Sequence, residues 1–267
     1  MTAALRYEWR RLWSIRSTYW LIGSTLAFQF FMSLIIAASV DAGDSDFSEG
    51  QLTSSVVSVG ASIGSLPLFS AYIIAMLGVF SFGHEYRHGM IRATLTAVPN
   101  RGAVFTAKVL TTGILAAVLG IVCALLGLLN ATMFLGDDAD TGSSFVWKVI
   151  LGLVVYTVLF GLFGLPVSEI LRNQTGALAL VLLFPSVIEG ALHLLLVIPE
   201  GEDGINKVAK FLPFDAGGQM FARPLFADID DIFGYVPLEP AEGGLVLGIF
   251  TLVLLALAST LFVKRDA

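Results

Sequence analysis

Six long apolar runs alternate with polar segments along the chain: Tyr19–Val40, Ile63–Phe82, Val109–Leu129, Phe145–Val167, Thr175–Ile198 and Gly243–Val263. An α-helix needs roughly 20 apolar residues to cross the hydrocarbon core of a bilayer, and each run is close to that length. The pattern predicts an all-α polytopic membrane protein with six transmembrane helices, built as a single transmembrane domain over residues 1–267. Gly and Pro interrupt several runs, which a membrane helix tolerates because its neighbours satisfy the freed backbone groups. The first run, at 22 residues, exceeds the roughly 7–15 of a signal-peptide core, so it is expected to stay as an anchor.

The connections have distinct characters. Residues 1–18 place Leu5, Trp9, Leu12 and Trp13 on one helical face among arginines, the pattern of an interfacial helix lying on a membrane surface. The first connecting loop, Asp41–Gly60, is acidic and rich in Ser and Gly, and the loop Asn130–Ser144 carries Asp137, Asp138 and Asp140. The segment 199–242 is long for a connector and includes the apolar stretches Val208–Phe214 and Met220–Phe226. The loop 83–102 is charged, then amphipathic, and closes on Val98-Pro99-Asn100-Arg101-Gly102. It has room for a short helix parallel to the membrane plane.

Composition agrees with the pattern. Hydrophobic residues make up 56% of the chain and charged residues 13%, about half the charged share of a soluble domain. The net charge of −6 hides a separation of signs. With a cytoplasmic N-terminus, the inner segments hold Arg6, Arg10, Arg11, Arg16, Arg87, Arg92, Arg101, Lys108, Arg172, Lys264 and Arg265, which are 11 of the 15 basic residues. Of the 21 acidic residues, 16 fall in the three outer loops. The Lys/Arg bias sets orientation, so both termini are expected in the cytoplasm. No nucleic-acid partner is expected. The lone cysteine, Cys123, lies in an apolar run, forms no internal disulfide and reads as a buried hydrophobe.

Candidate chemistry is sparse. His84-Glu85-Tyr86-Arg87-His88 matches H-E-x-x-H, in which two histidines one turn apart bind zinc and the glutamate is the general base. The only other histidine, His193, is in the fifth run, and Gly89 directly follows the motif. An intramembrane zinc metalloprotease is therefore the alternative reading rather than the leading one. No lysine is followed by Ser or Thr, so the phosphate-binding loop of P-loop ATPases is absent. Within the apolar runs, Gln29, Glu189 and His193 stand out. A polar or ionisable group inside a membrane is costly and defaults to a functional hypothesis, which makes these three candidates for a substrate path. Gly60-x-x-x-Gly64 and Gly244-x-x-x-Gly248 permit close helix packing.

Glu85-Tyr86-Arg87-His88-Gly89-Met90-Ile91-Arg92-Ala93-Thr94-Leu95, followed by Pro99, Arg101 and Lys108, resembles the first cytoplasmic loop of the type-2 permeases of ABC exporters. Met90 departs from the threonine usual in that run. Arg172-Asn173-Gln174 and Leu212-Pro213 are similar to weaker positions of the same family. The resemblance implies that the loop 83–102 is a coupling helix seated on an ABC ATPase subunit, with Glu85, Arg87 and Arg92 making polar contacts to it and Gly89 allowing a tight turn. It further implies a dimer of permeases, formed with a second copy or a paralogue. No cofactor is expected on this chain, because ATP is bound by the partner subunit.

Overall fold

The structure is a computed structural model, and it describes residues 2–39, 49–63, 66–197, 206–221 and 238–264. It is helical almost throughout. The N-terminal helix α1 (Thr2–Ser14) leads through a short break into α2 (Arg16–Ser39). A short helix α3 (Glu49–Ser58) follows, then a two-residue antiparallel ladder of β1 (Ser62–Ile63) with β2 (Leu66–Pro67). Beyond it come α4 (Phe69–Arg87), α5 (Ile91–Ala97), α6 (Arg101–Leu135) and α7 (Ser144–Leu171). The fifth run divides into α8 (Gln174–Leu183), a π-helical turn (Phe184–Ile188) and α9 (Glu189–Val197). Two short helices, α10 (Asn206–Ala209) and α11 (Pro213–Gly218), precede the last helix, α12 (Pro240–Lys264).

Five of these helical segments are long and apolar enough to cross a membrane: α2, α6 with its following turn, α7, residues Gln174–His193, and α12. The chain is thus a multi-pass membrane protein by length and composition. The second expected span is the exception. Residues 62–63 and 66–67 form the ladder instead, and α4 starts at Phe69 and extends to Arg87. At 19 residues, with His84, Glu85 and Arg87 in its last turns, it is shorter and more polar at one end than the other five.

The core forms around α7. Leu153, Tyr156, Phe160, Phe163 and Leu165 are fully buried along it, where α4, α6 and α12 pack on its sides. Phe214 of α11 inserts its ring against Phe160 and Phe163, with centroids 5.0 and 4.8 Å away and nearly perpendicular planes, the edge-to-face arrangement that aromatic quadrupoles favour. Part of segment 199–242 therefore folds back into the bundle; its residues 199–205 and 222–237 lie outside the described residues, as do 40–48 of the first connecting loop and Arg265 at the C-terminal end.

Two expectations about connections change. The loop Asp41–Gly60 contains α3, whose Leu52, Thr53, Ser54, Val56 and Val57 are buried. Its hydroxyls are spent locally, with Ser54 Oγ donating to Gly50 O at 2.6 Å and Ser55 Oγ to Gln51 O at 2.7 Å. That local bonding lets a Ser-rich stretch enter a helix and be buried without orphan polar groups. In α1, the face against the protein is Ala4, Glu8 and Leu12, while Trp9 and Trp13 are exposed. The expected grouping of Leu12 with the tryptophans is therefore split between two faces.

Candidate functional site

Four charged side chains from three helices meet at the end of the bundle that carries the loop 83–102. Glu8 and Arg11 are one turn apart on α1, the (i, i+3) spacing that makes helical side chains neighbours, and they pair at 3.0 Å. Arg11 also reaches Glu85 of α4 at 3.1 Å. Lys108 of α6 lies 2.8 Å from both Glu8 and Glu85. The backbone oxygen of Ser81, one turn before Glu85, accepts from Arg11 at 2.7 Å and from Lys108 at 2.9 Å. Lys108 is fully buried, with Glu8 and Glu85 at 1% exposure, and its ammonium lies 5.0 Å from the centre of the Phe82 ring. Two carboxylates and two cations make the cluster neutral. Buried ion pairs add little net stability, but removing one partner strands a charge in a medium that cannot solvate it. The cluster therefore fixes how α1, α4 and α6 sit together.

A second polar group lies beside it. The Tyr86 hydroxyl donates to Glu169 of α7, and the Arg172 guanidinium lies 5.8 Å from the Tyr86 ring centre. Arg172 caps the C-terminus of α7 in the left-handed region, with φ 50°, the only described non-glycine residue with positive φ. Tyr86, Leu95, Phe262, Arg92, Arg101 and Arg172 line a cavity of about 360 Å³ at this end.

Between these groups the chain makes its turn. The helix α4 ends at Arg87, and the amides of Gly89 and Met90 return to Tyr86 O and Glu85 O at 3.3 and 2.8 Å. Gly89 has φ 66°, a conformation that costs glycine nothing and L side chains roughly 1–2 kcal/mol. Arg87, His88, Gly89, Met90 and Arg92 are exposed, so the turn and one side of α5 stand out from the bundle. Asn100 then starts α6 by accepting from Ala103 N at 3.0 Å, which explains the Pro-Asn-Arg-Gly closure seen in the sequence.

The candidates named from sequence separate on this geometry. Arg87, Gly89 and Arg92 lie on the exposed turn and α5. Glu85, expected to face a partner, is directed inward and contacts Arg11 and Lys108 of its own chain. This orientation also removes Glu85 as a base for the His84–His88 pair. The two rings lie 6.1 Å apart, and among the described residues no three of His, Cys, Asp and Glu converge as a metal site. The protease reading has no support in this arrangement.

The candidates inside the spans are engaged with backbone. Gln29 donates to Val57 O at 3.0 Å and so holds α3 against α2. Glu189, at 3% exposure, accepts from Phe214 N at 2.7 Å and Asp215 N at 2.6 Å, covering the N-terminus of α11. His193 lies 3.4 Å from Asp215. Gln219 donates to Asp215 at 3.3 Å and accepts from Leu238 N at 2.5 Å. Together they pin residues 213–219 to the fifth run. The sequence reading missed Glu8, Arg11, Lys108 and Glu169 as partners. A lysine directly before a long apolar run, with a glutamate near the end of the preceding run, was the available signal.

Residues 34–260, from the second half of α2 almost to the end of α12, match the family model described as ABC-2 family transporter protein. The chain belongs to the ABC-2 transporter family. No curated protein matches it. As an ABC-2 transporter protein it is a membrane component of a transporter, of a kind that generally lacks its own ATPase, and the resemblance drawn from the 85–95 run is borne out at the level of the family. The weaker similar positions acquire structural reasons: Asn173 N-caps α8 by accepting from Gly176 N at 3.0 Å, and Pro213 opens α11, where its missing N–H costs nothing.

Proposed function

We propose that this chain is the membrane-spanning permease half of an ATP-driven exporter, energised by separate ATPase subunits that dock on the exposed turn between α4 and α5. In this reading α4 is the second of six crossings, both ends and the turn lie in the cytoplasm, α1 rests at the inner interface, and a second copy or paralogue completes the transporter. Five apolar helices and the Lys/Arg distribution support the topology. The observation that carries the coupling role is the four-charge cluster directly above the turn. It ties α4 to α1 and α6 through contacts of 2.8–3.1 Å, so a force applied at Arg87–Arg92 moves three helices as a unit rather than bending one loop.

Docking is assigned to Arg87, Gly89, Met90 and Arg92, which are exposed, and Glu85 acts from within by holding the base of the turn. Gln29, Glu189 and His193 act on the substrate path by positioning α3 and α11 rather than by standing free in a channel. The test is purification with and without the ATPase. The chain alone should turn over no ATP. Co-expressed, it should retain the ATPase subunit, and Arg87→Ala with Gly89→Val should reduce the retained amount by about tenfold or more, as loss of interface charges and turn shape does elsewhere. Unchanged retention in that variant would contradict the docking assignment.

A further inference from the structure

We propose that the face of α1 turned away from the bundle is a docking surface for the anionic phospholipid headgroups of the inner leaflet. Residues 2–20 hold four arginines, Arg6, Arg10, Arg11 and Arg16, and one acidic residue, Glu8. Glu8 and Arg11 belong to the buried neutral cluster. Arg6, Arg10 and Arg16 are exposed, so the charge this segment presents outward is positive. The cluster also bonds α1 to α4 and α6, which prevents α1 from rolling about its axis and keeps this face outward.

An aromatic row beside the arginines supplies an independent observation. Trp9 and Trp13 are one turn apart on α1 and exposed, with ring centroids 5.9 Å apart. The Trp13 ring lies 5.8 Å from that of Tyr19 in α2, and the Tyr19 hydroxyl donates to Trp13 O at 2.7 Å, which fixes the corner between the two helices. Successive residues step about 100° around a helix. The buried row Ala4, Glu8 and Leu12 is therefore followed by the Trp9–Trp13 row and then by the Arg6–Arg10 row. A bilayer interface matches that order, with indole rings at the headgroup boundary and guanidinium groups beside the phosphates. The aromatic surface continues onto α2, a helix long and apolar enough to span, where Trp20, Phe31 and Ile35 are exposed. Rings that run into a membrane span favour lipid over an acidic protein as the occupant. Arginines held near an anionic leaflet add affinity that a zwitterionic headgroup does not supply.

The inference rests on α1 lying at the inner interface, as proposed above, but not on the presence of an ATPase, so the permease alone is tested. The tryptophans of the chain are Trp9, Trp13, Trp20 and Trp147, and Trp20→Phe with Trp147→Phe leaves only the two of α1 as reporters. Their quenching is measured in bilayers that mix phosphatidylglycerol with phosphatidylcholine, with one or the other lipid brominated, which gives the relative affinity of this surface for the two headgroups. Each arginine near an anionic surface contributes about fivefold, so phosphatidylglycerol should be preferred about tenfold or more. Replacing Arg6, Arg10 and Arg16 together by Gln should bring the ratio close to one, whereas replacing all three by Lys should keep most of it. Neither set touches the buried cluster, so both variants should melt near wild type. Equal quenching by the two lipids, which is also the result if an acidic protein is the true occupant, would overturn the anionic assignment and leave α1 at the interface. A preference that survives the Gln variant would contradict the role of the arginines. No quenching by either lipid would remove α1 from the bilayer surface and overturn the interfacial reading together with the inference.

Discussion

Lys108 is fully buried in an otherwise apolar helix, 2.8 Å from two carboxylates. Replacing it by Met leaves Glu8 and Glu85 with Arg11 as their only cation, one net negative charge in a site closed to water. Breaking a buried pair this way costs about 3–5 kcal/mol, so Lys108→Met should sharply lower the temperature at which the detergent-solubilised protein aggregates, measured by size exclusion after heating. A melting curve within a degree or two of wild type would contradict the cluster. The histidines predict the opposite. The His84 ring lies against Phe80 and beside His88, and neither histidine pairs with the charge cluster, so His84→Ala with His88→Ala should leave yield and ATPase retention unchanged. Stoichiometric zinc lost in that variant together with activity would restore the protease reading. The sequence could name Glu85 but not its direction. Its neighbours Arg11 and Lys108 come from 74 and 23 residues away, and no local pattern encodes such pairings.

At the scale of elements, close approach of α4 and α7 depends on glycine. A methyl group at Gly78 would overlap Gly161 O, and one at Gly164 would overlap Ala75 O, so Gly164→Val should push the helices apart and abolish recovery of folded protein. Folded material in wild-type yield would show that the crossing is looser than the structure has it. The fifth run shows a different device. Ala177, Val181, Pro185 and Glu189 are all buried, four residues apart, whereas a regular helix turns about 400° in four residues and would drift off that face. The wider π turn at Phe184–Ile188 reduces the drift and brings Glu189 under α11. Glu189→Gln keeps the acceptor for Phe214 N and Asp215 N and should preserve the structure. Glu189→Ala leaves two buried N–H groups without a partner, about 1–3 kcal/mol each, and should expose residues 206–221 to limited proteolysis. Equal protease resistance of the Ala variant would contradict the anchoring role. The long apolar runs were legible because span length is set by the bilayer and needs no tertiary information. The burial of α3, the ladder that delays α4 and the π turn were not, since each depends on a neighbour: Gln29 for α3, the α7 surface for α4, and α11 for the fifth run.

At the scale of the molecule, Leu110, Ile114, Val118, Ile121, Leu125 and Leu129 form an exposed apolar stripe along α6, and Leu245, Ile249, Leu252, Val253 and Leu257 form another on α12. Stripes of this length are what a surrounding bilayer or a second permease would cover. The opposite organisation holds at the α4–α5 end, where charges are buried in a neutral cluster and a polar turn projects outward. The central claim is that this turn is where the ATPase drives the helices, and the chain offers a clean way to test it. Its one cysteine, Cys123, is buried, so a cysteine placed at exposed Met90 can be cross-linked with little background. In native membranes containing the cognate ATPase, Met90→Cys should form a cross-linked product containing both the permease and an ATPase subunit, while Ser143→Cys at the opposite end of the bundle should form none. An ATPase cross-link from Ser143→Cys, or its absence from Met90→Cys in a complex that still co-purifies, would contradict the account.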